Sequence, residues 1–393
     1  MKILVICQHY YPEPFRITDI CEELVRRGHE VTVVTGTPNY PMGEIYAGYE
    51  NCKRADEVLG GVTVHRCNIH PRKTGAFHRV WNYYSYAHQS KKYINSLDGS
   101  FDVVFINQLS PVMMAKAGIR YAKKHKKKSV LYCLDLWPAS LGAGGLTGGP
   151  IYKWFHRESR RIYKSADKIL VSSRSFAKYF EQEFGITETS YLPQYSESLF
   201  SPEECRKTPD GYIDLMFAGN VGAAQSVSTV IRAAKLTENI ENLRWHIVGD
   251  GIDLKNCKKL AEELSLTSVI FHGRKKLDEM PKYYAMADAM LVTMQRDPLI
   301  SLTLPGKVQS YMAAGKAVIG SIDNETADVI TESGAGVVTP AEDYIALAES
   351  VRKLTETPSL FSEYGEKSLA YSEKNFAEEI FFRTLTETLE SAR

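Results

Sequence analysis

Leu304 to Gly320 read LPGKVQSYMAAGKAVIG, a turn, a helix, a stop and a strand in quick succession. Pro305 suits a helix start, because its missing N–H would have been unpaired there in any case. Gly306 leaves the backbone open to close approach. The first helical turn then offers free N–H groups and a partial positive charge, with Lys307 beside them, and this is an anion site. Met312, Ala313 and Ala314 allow tight packing, Gly315 can end the helix, and Ala317-Val318-Ile319 has the character of a short buried strand. A helix that runs straight into a buried strand is one step of an alternating α/β chain.

The same step recurs on both sides of this stretch. Short β-rich runs at Ile3–Cys7, Val31–Thr35, Val62–Cys67, Val103–Ile106, Val130–Leu134 and Ile169–Ser172 alternate with amphipathic segments such as Ile17–Arg27 and Val112–Lys124. A second series follows at Ile213–Ala218, Trp245–Val248, Val269–His272, Ala289–Thr293 and Ala317–Ile319. Strands alternating with helical patterns predict βαβ units and parallel sheets covered on both faces. Two such series in 393 residues predict two doubly wound Rossmann-like domains. Their expected bounds are 1–195 and 212–375, with a polar, proline-bearing linker at 196–211. A terminal helical segment, 376–393, carries Phe376, Ile380, Phe381 and Leu385 at helical spacing.

Composition narrows the class. The chain is 44% hydrophobic and 24% charged, as in globular proteins with a large core. Seven scattered cysteines without a CxxC argue for a reducing compartment and against a disulfide framework. The opening MKILVICQHYYPEP has five consecutive apolar residues, short for a signal peptide core, and no run reaches the length of a membrane span. A cytoplasmic protein is expected. The net charge of +1 hides an asymmetry. Residues 1–200 hold 27 Lys/Arg against 18 Asp/Glu, and residues 201–393 hold 21 against 29, so the first domain is expected to face something anionic.

Glycine turns mark the candidate site. MFAGNVGAAQS (216–226), HIVGDG (246–251) and IFHGRKK (270–276) each end a strand with small residues, a way of holding phosphate on main-chain amides. With the Pro-Gly-Lys turn they put four such turns on one sheet edge, and ligands of open sheets bind at the strands' carboxyl ends. Other chemistries lack their signatures. The first strand leads into QHYYPEPFRITD instead of GxGxxG, Gly315-Lys316 lacks the upstream glycine of a P-loop, and HExxH and EF-hand loops are absent. No metal site is expected.

These segments resemble, in order, the family-four glycosyltransferases of GT-B fold: RRGHEVTVVT (26–35), DLWPASL (135–141), SADKILVSS (165–173), FAGNVGAAQS (217–226), VGDG (248–251), FHGR (271–274), ADAMLV (287–292) and PGKVQSYMAAGKAVI (305–319). The flavour is that of bacterial transferases building surface polysaccharide. The resemblance implies two domains facing across a cleft, and a final helix returning to the first domain. It implies a nucleotide-sugar donor, a UDP-sugar, on the C-terminal domain and an acceptor on the N-terminal one. It also implies retention of anomeric configuration, with no cofactor and no metal. Carried onto this chain, the donor site comprises Gly219, Asn220, Gly222, Gln225, Gly273, Arg274, Lys275, Pro305, Gly306, Lys307 and Ser310. Asp135 and Asn107 are the candidates for contact with the reacting sugar, and His9 and Arg16 line the cleft. Two family glutamates fall here on Leu302 and Ser310, and the family's basic pair is replaced by Asn220 and Gln225. Residues 68–93 interleave Arg72, Lys73, Arg79, Lys91 and Lys92 with Phe77, Trp81, Tyr83, Tyr84 and Tyr86. That mixture predicts an anionic membrane surface as partner, hence a peripheral protein at the cytosolic face of the plasma membrane with a lipid-linked saccharide acceptor and no nucleic acid. A nucleotide-sugar epimerase of GT-B fold and a non-catalytic sugar-nucleotide-binding protein remain as alternatives.

Overall fold

The computed structural model describes residues 1–72 and 75–393, without the side chains of Cys52, Ala76, Phe77, Arg79 and Ala143. Lys73, Phe77 and Arg79 of the interfacial stretch therefore lie outside the described residues. The chain divides into two compact units, Met1–Leu192 with Phe382–Arg393, and Pro193–Phe381.

The first unit holds eight strands: β1 (Lys2–Ile6), β2 (Glu30–Gly36), β3 (Asp56–Leu59), β4 (Val62–Cys67), β5 (Val103–Gln108), β6 (Lys128–Cys133), β7 (Lys168–Val171) and β8 (Ser190–Tyr191). They form one sheet in the order β3-β4-β2-β1-β5-β6-β7-β8. Every pairing is parallel except β3 with β4. Strands β1, β5 and β6 are almost wholly buried, as expected of parallel strands under helices on both faces. The β3 hairpin and the two-residue β8 are edge elements that the apolar-run reading passes over. Phe382, Leu385 and Leu389 of the returning segment are buried, and the Arg27 guanidinium lies 4.9 Å from the Phe382 ring centre.

The second unit has six parallel strands: β9 (Ile213–Ala218), β10 (Leu243–Val248), β11 (Val269–Gly273), β12 (Ala289–Thr293), β13 (Ala317–Ser321) and β14 (Gly336–Thr339). Their order is β11-β10-β9-β12-β13-β14, a doubly wound sheet whose winding reverses between β9 and β12. Alternation along β9 shows the double cover directly. Leu215 and Phe217 enter one core with Trp245 and Val351, while Met216 and Ala218 enter another with Tyr311 and Ile330. The six described cysteines are free and buried.

Candidate active site

In the second unit the carboxyl ends of β9 and β10 come together on bare backbone. Gly249 has φ +145°, and a Cβ there would lie 1.8 Å from the Gly219 carbonyl oxygen. Only glycine permits that approach. Beside this crossing, the helix Gly306–Ala313 begins with Pro305 as its extended cap residue. Tyr311 pins the helix: its hydroxyl donates to the Ala218 carbonyl at 2.8 Å and accepts from the Ala218 N–H at 3.0 Å. That anchor, one turn past Lys307, sets the lysine against the β9 loop. A Cβ built on Gly219 would stand 2.9 Å from the Lys307 Nζ. Although Lys307 as a residue is only half-buried, its ammonium nitrogen is shut off from solvent and has no hydrogen-bond partner. It sits 3.8 Å from the Phe217 ring centre, and burial pulls its pKa down to about 7. An unpaired buried cation beside the free amides of a helix start is an arrangement suited to an anion.

One turn along, the Ser310 hydroxyl donates to the Glu197 carboxylate at 3.1 Å. Glu197 lies in the polar stretch after Pro193, so the carboxylate missing from position 310 is supplied in space by a residue that sequence reading took for linker. Gln194 of the same stretch places its side-chain oxygen 3.6 Å from where a Gly306 Cβ would stand. No periodicity or motif signals either residue. Asn220 and Gln225 are brought together, but toward each other: the Asn220 amide donates to the Gln225 Oε1 at 2.9 Å, which also accepts the Gly222 N–H at 3.2 Å. The pair closes the β9 loop into a ring of amides. Gly273, Arg274 and Lys275 lie at the end of the edge strand β11, two strands from β9. There the Lys275 ammonium lies 5.3 Å from the Tyr283 ring centre and Arg274 is exposed, so neither is drawn to Lys307.

The first unit gathers its candidates at the ends of β1, β5 and β6, around the point between β1 and β5 where its own winding reverses. His9 is 5% exposed, stacks on Phe15 at 4.8 Å and hydrogen-bonds the Glu13 carboxylate through Nδ1 at 3.0 Å. The other Glu13 oxygen accepts the Asn39 and Tyr40 N–H groups, so the carboxylate locks one ring nitrogen of His9 in place. Arg16 stands immediately before the helix Ile17–Arg26, with no capping bond from its side chain. Asn107, in β5, is buried with its Oδ1 unpartnered, and an orphaned acceptor is costly unless something fills it. Asp135 follows β6. Burial pushes its carboxyl pKa up, against a hydrogen bond with Ser110 that pulls it down. The structure thus offers a hydroxyl-binding set on this unit: an unfilled amide oxygen, a carboxyl and a fixed imidazole.

Residues 16–192 match the model for Glycosyltransferase Family 4, and residues 204–371 match that for Glycosyl transferases group 1. The chain is 27% identical over 402 aligned residues to "Putative colanic acid biosynthesis glycosyl transferase WcaI" of Escherichia coli (strain K12), covering 94% of this chain and 96% of that one. Among solved structures it resembles sucrose-phosphate synthase from Thermosynechococcus elongatus, with TM-score 0.78, 14% identity and coverage of 99% and 98%. It also resembles Anabaena Alr3699/HepE in complex with UDP, with TM-score 0.75, 14% identity and full coverage of both chains. Two Rossmann-like units, each matching its own family model, make this chain a glycosyltransferase of the GT-B fold.

Proposed function

We propose that the protein moves a sugar from a UDP-sugar to a lipid-linked saccharide in the synthesis of a bacterial surface polysaccharide, retaining the anomeric configuration and using no cofactor or metal. The observation that carries this reading is the buried, unpartnered Lys307 ammonium against Gly219 at a helix start. A diphosphate placed there gains the charge, the amides of the helix Gly306–Ala313 and those of the β9 loop. Glu197 suits the nucleoside next to it. A carboxylate repels phosphate but accepts two hydrogen bonds from a vicinal diol, and a ribose sits about one helical turn from its diphosphate. Support for the donor comes from HepE, whose structure holds UDP. Support for the pathway comes from WcaI, whose name assigns it to colanic acid.

In the proposed reaction the bond from the sugar C1 to the phosphate oxygen breaks, and its electron pair stays on that oxygen. Lys307 and the amides stabilise the charge where it develops. The acceptor hydroxyl oxygen bonds C1 from the same face and its proton passes to the leaving phosphate oxygen. Asn107 and Asp135 hold saccharide hydroxyls, and His9 with Arg16 orients the acceptor. Because such an acceptor is membrane-borne, the enzyme works at the cytosolic face of the plasma membrane. The test is incorporation of labelled sugar from a panel of nucleotide sugars into membrane lipid, with wild type and Lys307→Ala. Transfer by the wild type alone, with anomeric retention in the product, is expected. Donor turnover without acceptor would indicate an epimerase, and tight donor binding without turnover a sensor; either result would overturn the proposal.

A further inference from the structure

Three helices of the first unit share one outer face. Helix Ala76–Ile94 turns Asn82, Tyr86 and Ser90 inward, all fully buried, and leaves Trp81 half-exposed at 50%. Helix Gly149–Tyr163 carries Ile151 at 61% and Trp154 at 49% exposure. On that helix Ile151, Trp154, Glu158 and Arg161 fall on one side at helical spacing. Helix Lys116–His125 lies alongside, and Lys116 pairs with Glu158 at 2.5 Å. A groove of about 590 Å³ runs between these last two helices, lined by Arg120, Lys123, Lys124 and Arg161 among others. Aromatic contacts tie the remaining helix to the face: Tyr83 meets Trp137 at 6.3 Å, Trp137 meets Phe155 at 5.5 Å, and Phe155 meets Trp154 at 5.0 Å.

Charge on this face is one-sided. Residues 116–128 contain seven Lys or Arg and no carboxylate, and residues 149–163 contain four against Glu158. Most of the groove's cations stay unneutralised, because their bonds go to neutral groups. Arg120 donates to the Asn95 side chain, Lys124 to the Asn95 carbonyl and Lys123 to the Ser165 hydroxyl. Topology adds a direction. In a βαβ unit the helix starts at the strands' carboxyl ends, so Trp81, Ile151 and Trp154, all within the first two turns of their helices, sit toward the edge that carries His9, Asn107 and Asp135. Lys123 and Lys124, in a last turn, sit toward the opposite edge. Residues 68–93 alone do not make this face. Within them Tyr86 is core, donating to the Val34 carbonyl, and Arg72 is held between the Tyr40 and Tyr83 rings.

We propose that this three-helix face docks on an anionic lipid bilayer, with Trp81, Ile151 and Trp154 in the headgroup–acyl boundary and Lys123, Lys124 and Arg161 against lipid phosphates. Exposed Trp beside unpaired cations is the composition of an interfacial surface. Among the described residues no helix is long and apolar enough to cross a membrane, so this face would provide reversible attachment. The inference deepens the reading of a membrane-borne acceptor, yet docking is measured with no acceptor present, so either can fail without the other.

Two of the four tryptophans, Trp137 and Trp245, are buried, so an emission change on docking reports Trp81 and Trp154. Full-length protein is mixed with vesicles of neutral phosphatidylcholine or of phosphatidylcholine with phosphatidylglycerol. Sedimentation with the anionic vesicles, a blue shift in emission and release by salt are expected. Each basic residue near such a surface contributes about fivefold to partitioning. Lys123→Ser, Lys124→Ser and Arg161→Ser together should therefore cut it by about a hundredfold. Trp81→Phe with Trp154→Phe should keep docking and lose the blue shift, which shows that this face makes the contact even if harsher variants fold poorly. Equal binding to neutral vesicles, docking without a blue shift, or single-stranded RNA displacing the vesicles at equal phosphate would overturn the proposal.

Discussion

Ser310 and Glu197 stand 113 residues apart in the chain and share a hydrogen bond of 3.1 Å. The hydroxyl sits on the helix Gly306–Ala313, one turn past Gly306, and the carboxylate arrives from the stretch that joins the two families of strands. The pair makes position 310 the partner of an acid. Glu197→Gln should weaken UDP binding roughly tenfold, in line with about 1.5–3 kcal/mol for hydrogen bonds to a charged group. It should leave the affinity for 2′,3′-dideoxy-UDP unchanged, and titration calorimetry on the two ligands measures both. Ser310→Ala should cost about 1 kcal/mol. Ser310→Glu would set a second carboxylate against the first and should impair binding, although sequence alone suggests that it restores a family residue.

Lys307 makes donor binding depend on pH. With its pKa drawn down to about 7 by burial, the free protein loses that positive charge as pH rises through 7, while a bound diphosphate holds the proton on. Affinity for a nucleotide sugar should be flat below pH 7 and fall by up to tenfold per unit above it. Lys307→Ala should bind weakly with no such slope between pH 7 and 9. Without ligand the sign reverses: the folded state binds fewer protons than the unfolded one, so this residue's contribution to stability rises with pH from about 7 toward the ordinary lysine value of 10.5.

Two glycines at the site should answer differently to alanine. At Gly249 the added carbon would meet the Gly219 carbonyl at 1.8 Å in a backbone conformation that disfavours side chains. Gly249→Ala should therefore cost stability, on the order of several kcal/mol. At Gly306 the nearest atom is 3.6 Å away and the backbone is helical. Gly306→Ala should leave the melting temperature nearly unchanged, and Gly306→Val should abolish donor binding by filling the space above the amides. Thermal melts and calorimetry on the three variants separate the two roles.

At the amino edge of the second sheet, Asp214 accepts from Arg244 at 2.6 Å, from His246 at 2.7 Å and from Lys207 at 2.7 Å. Despite the upward push of burial, these bonds hold its carboxyl far below the usual carboxylate range. A depressed carboxyl stabilises the fold above its unfolded pKa, and that stability drains away as pH falls below about 4. Asp214→Asn should cost about 1–3 kcal/mol at neutral pH by removing a charged acceptor from three donors, while Lys207 keeps Asp288 and Arg244 keeps Asp210. It should also flatten the acid limb of the denaturation curve, read by urea melts from pH 7 to pH 3.

The strands were readable from sequence because parallel strands buried on both faces must be apolar throughout, and the glycine turns because a positive φ or a close backbone approach admits little else. β1, β9 and β12, the helix Gly306–Ala313 and the place of Lys307 all follow from such local rules. The edge strands β3, β8 and β14 escape them, since half-buried edges carry no continuous apolar run. Glu197 and Gln194 escape for another reason: a charged residue in a polar stretch looks the same whether it is solvated or folded onto a helix start. Asn220 and Gln225 look independent in sequence until the fold turns them on each other, and Trp154 is linked to the helix of Trp81 through Phe155, Trp137 and Tyr83. Local sequence determined what each segment becomes, because burial and backbone geometry act within a few residues. Which polar side chains meet was decided by the tertiary structure, because a hydrogen bond is specified by distance in space and leaves no period in the chain.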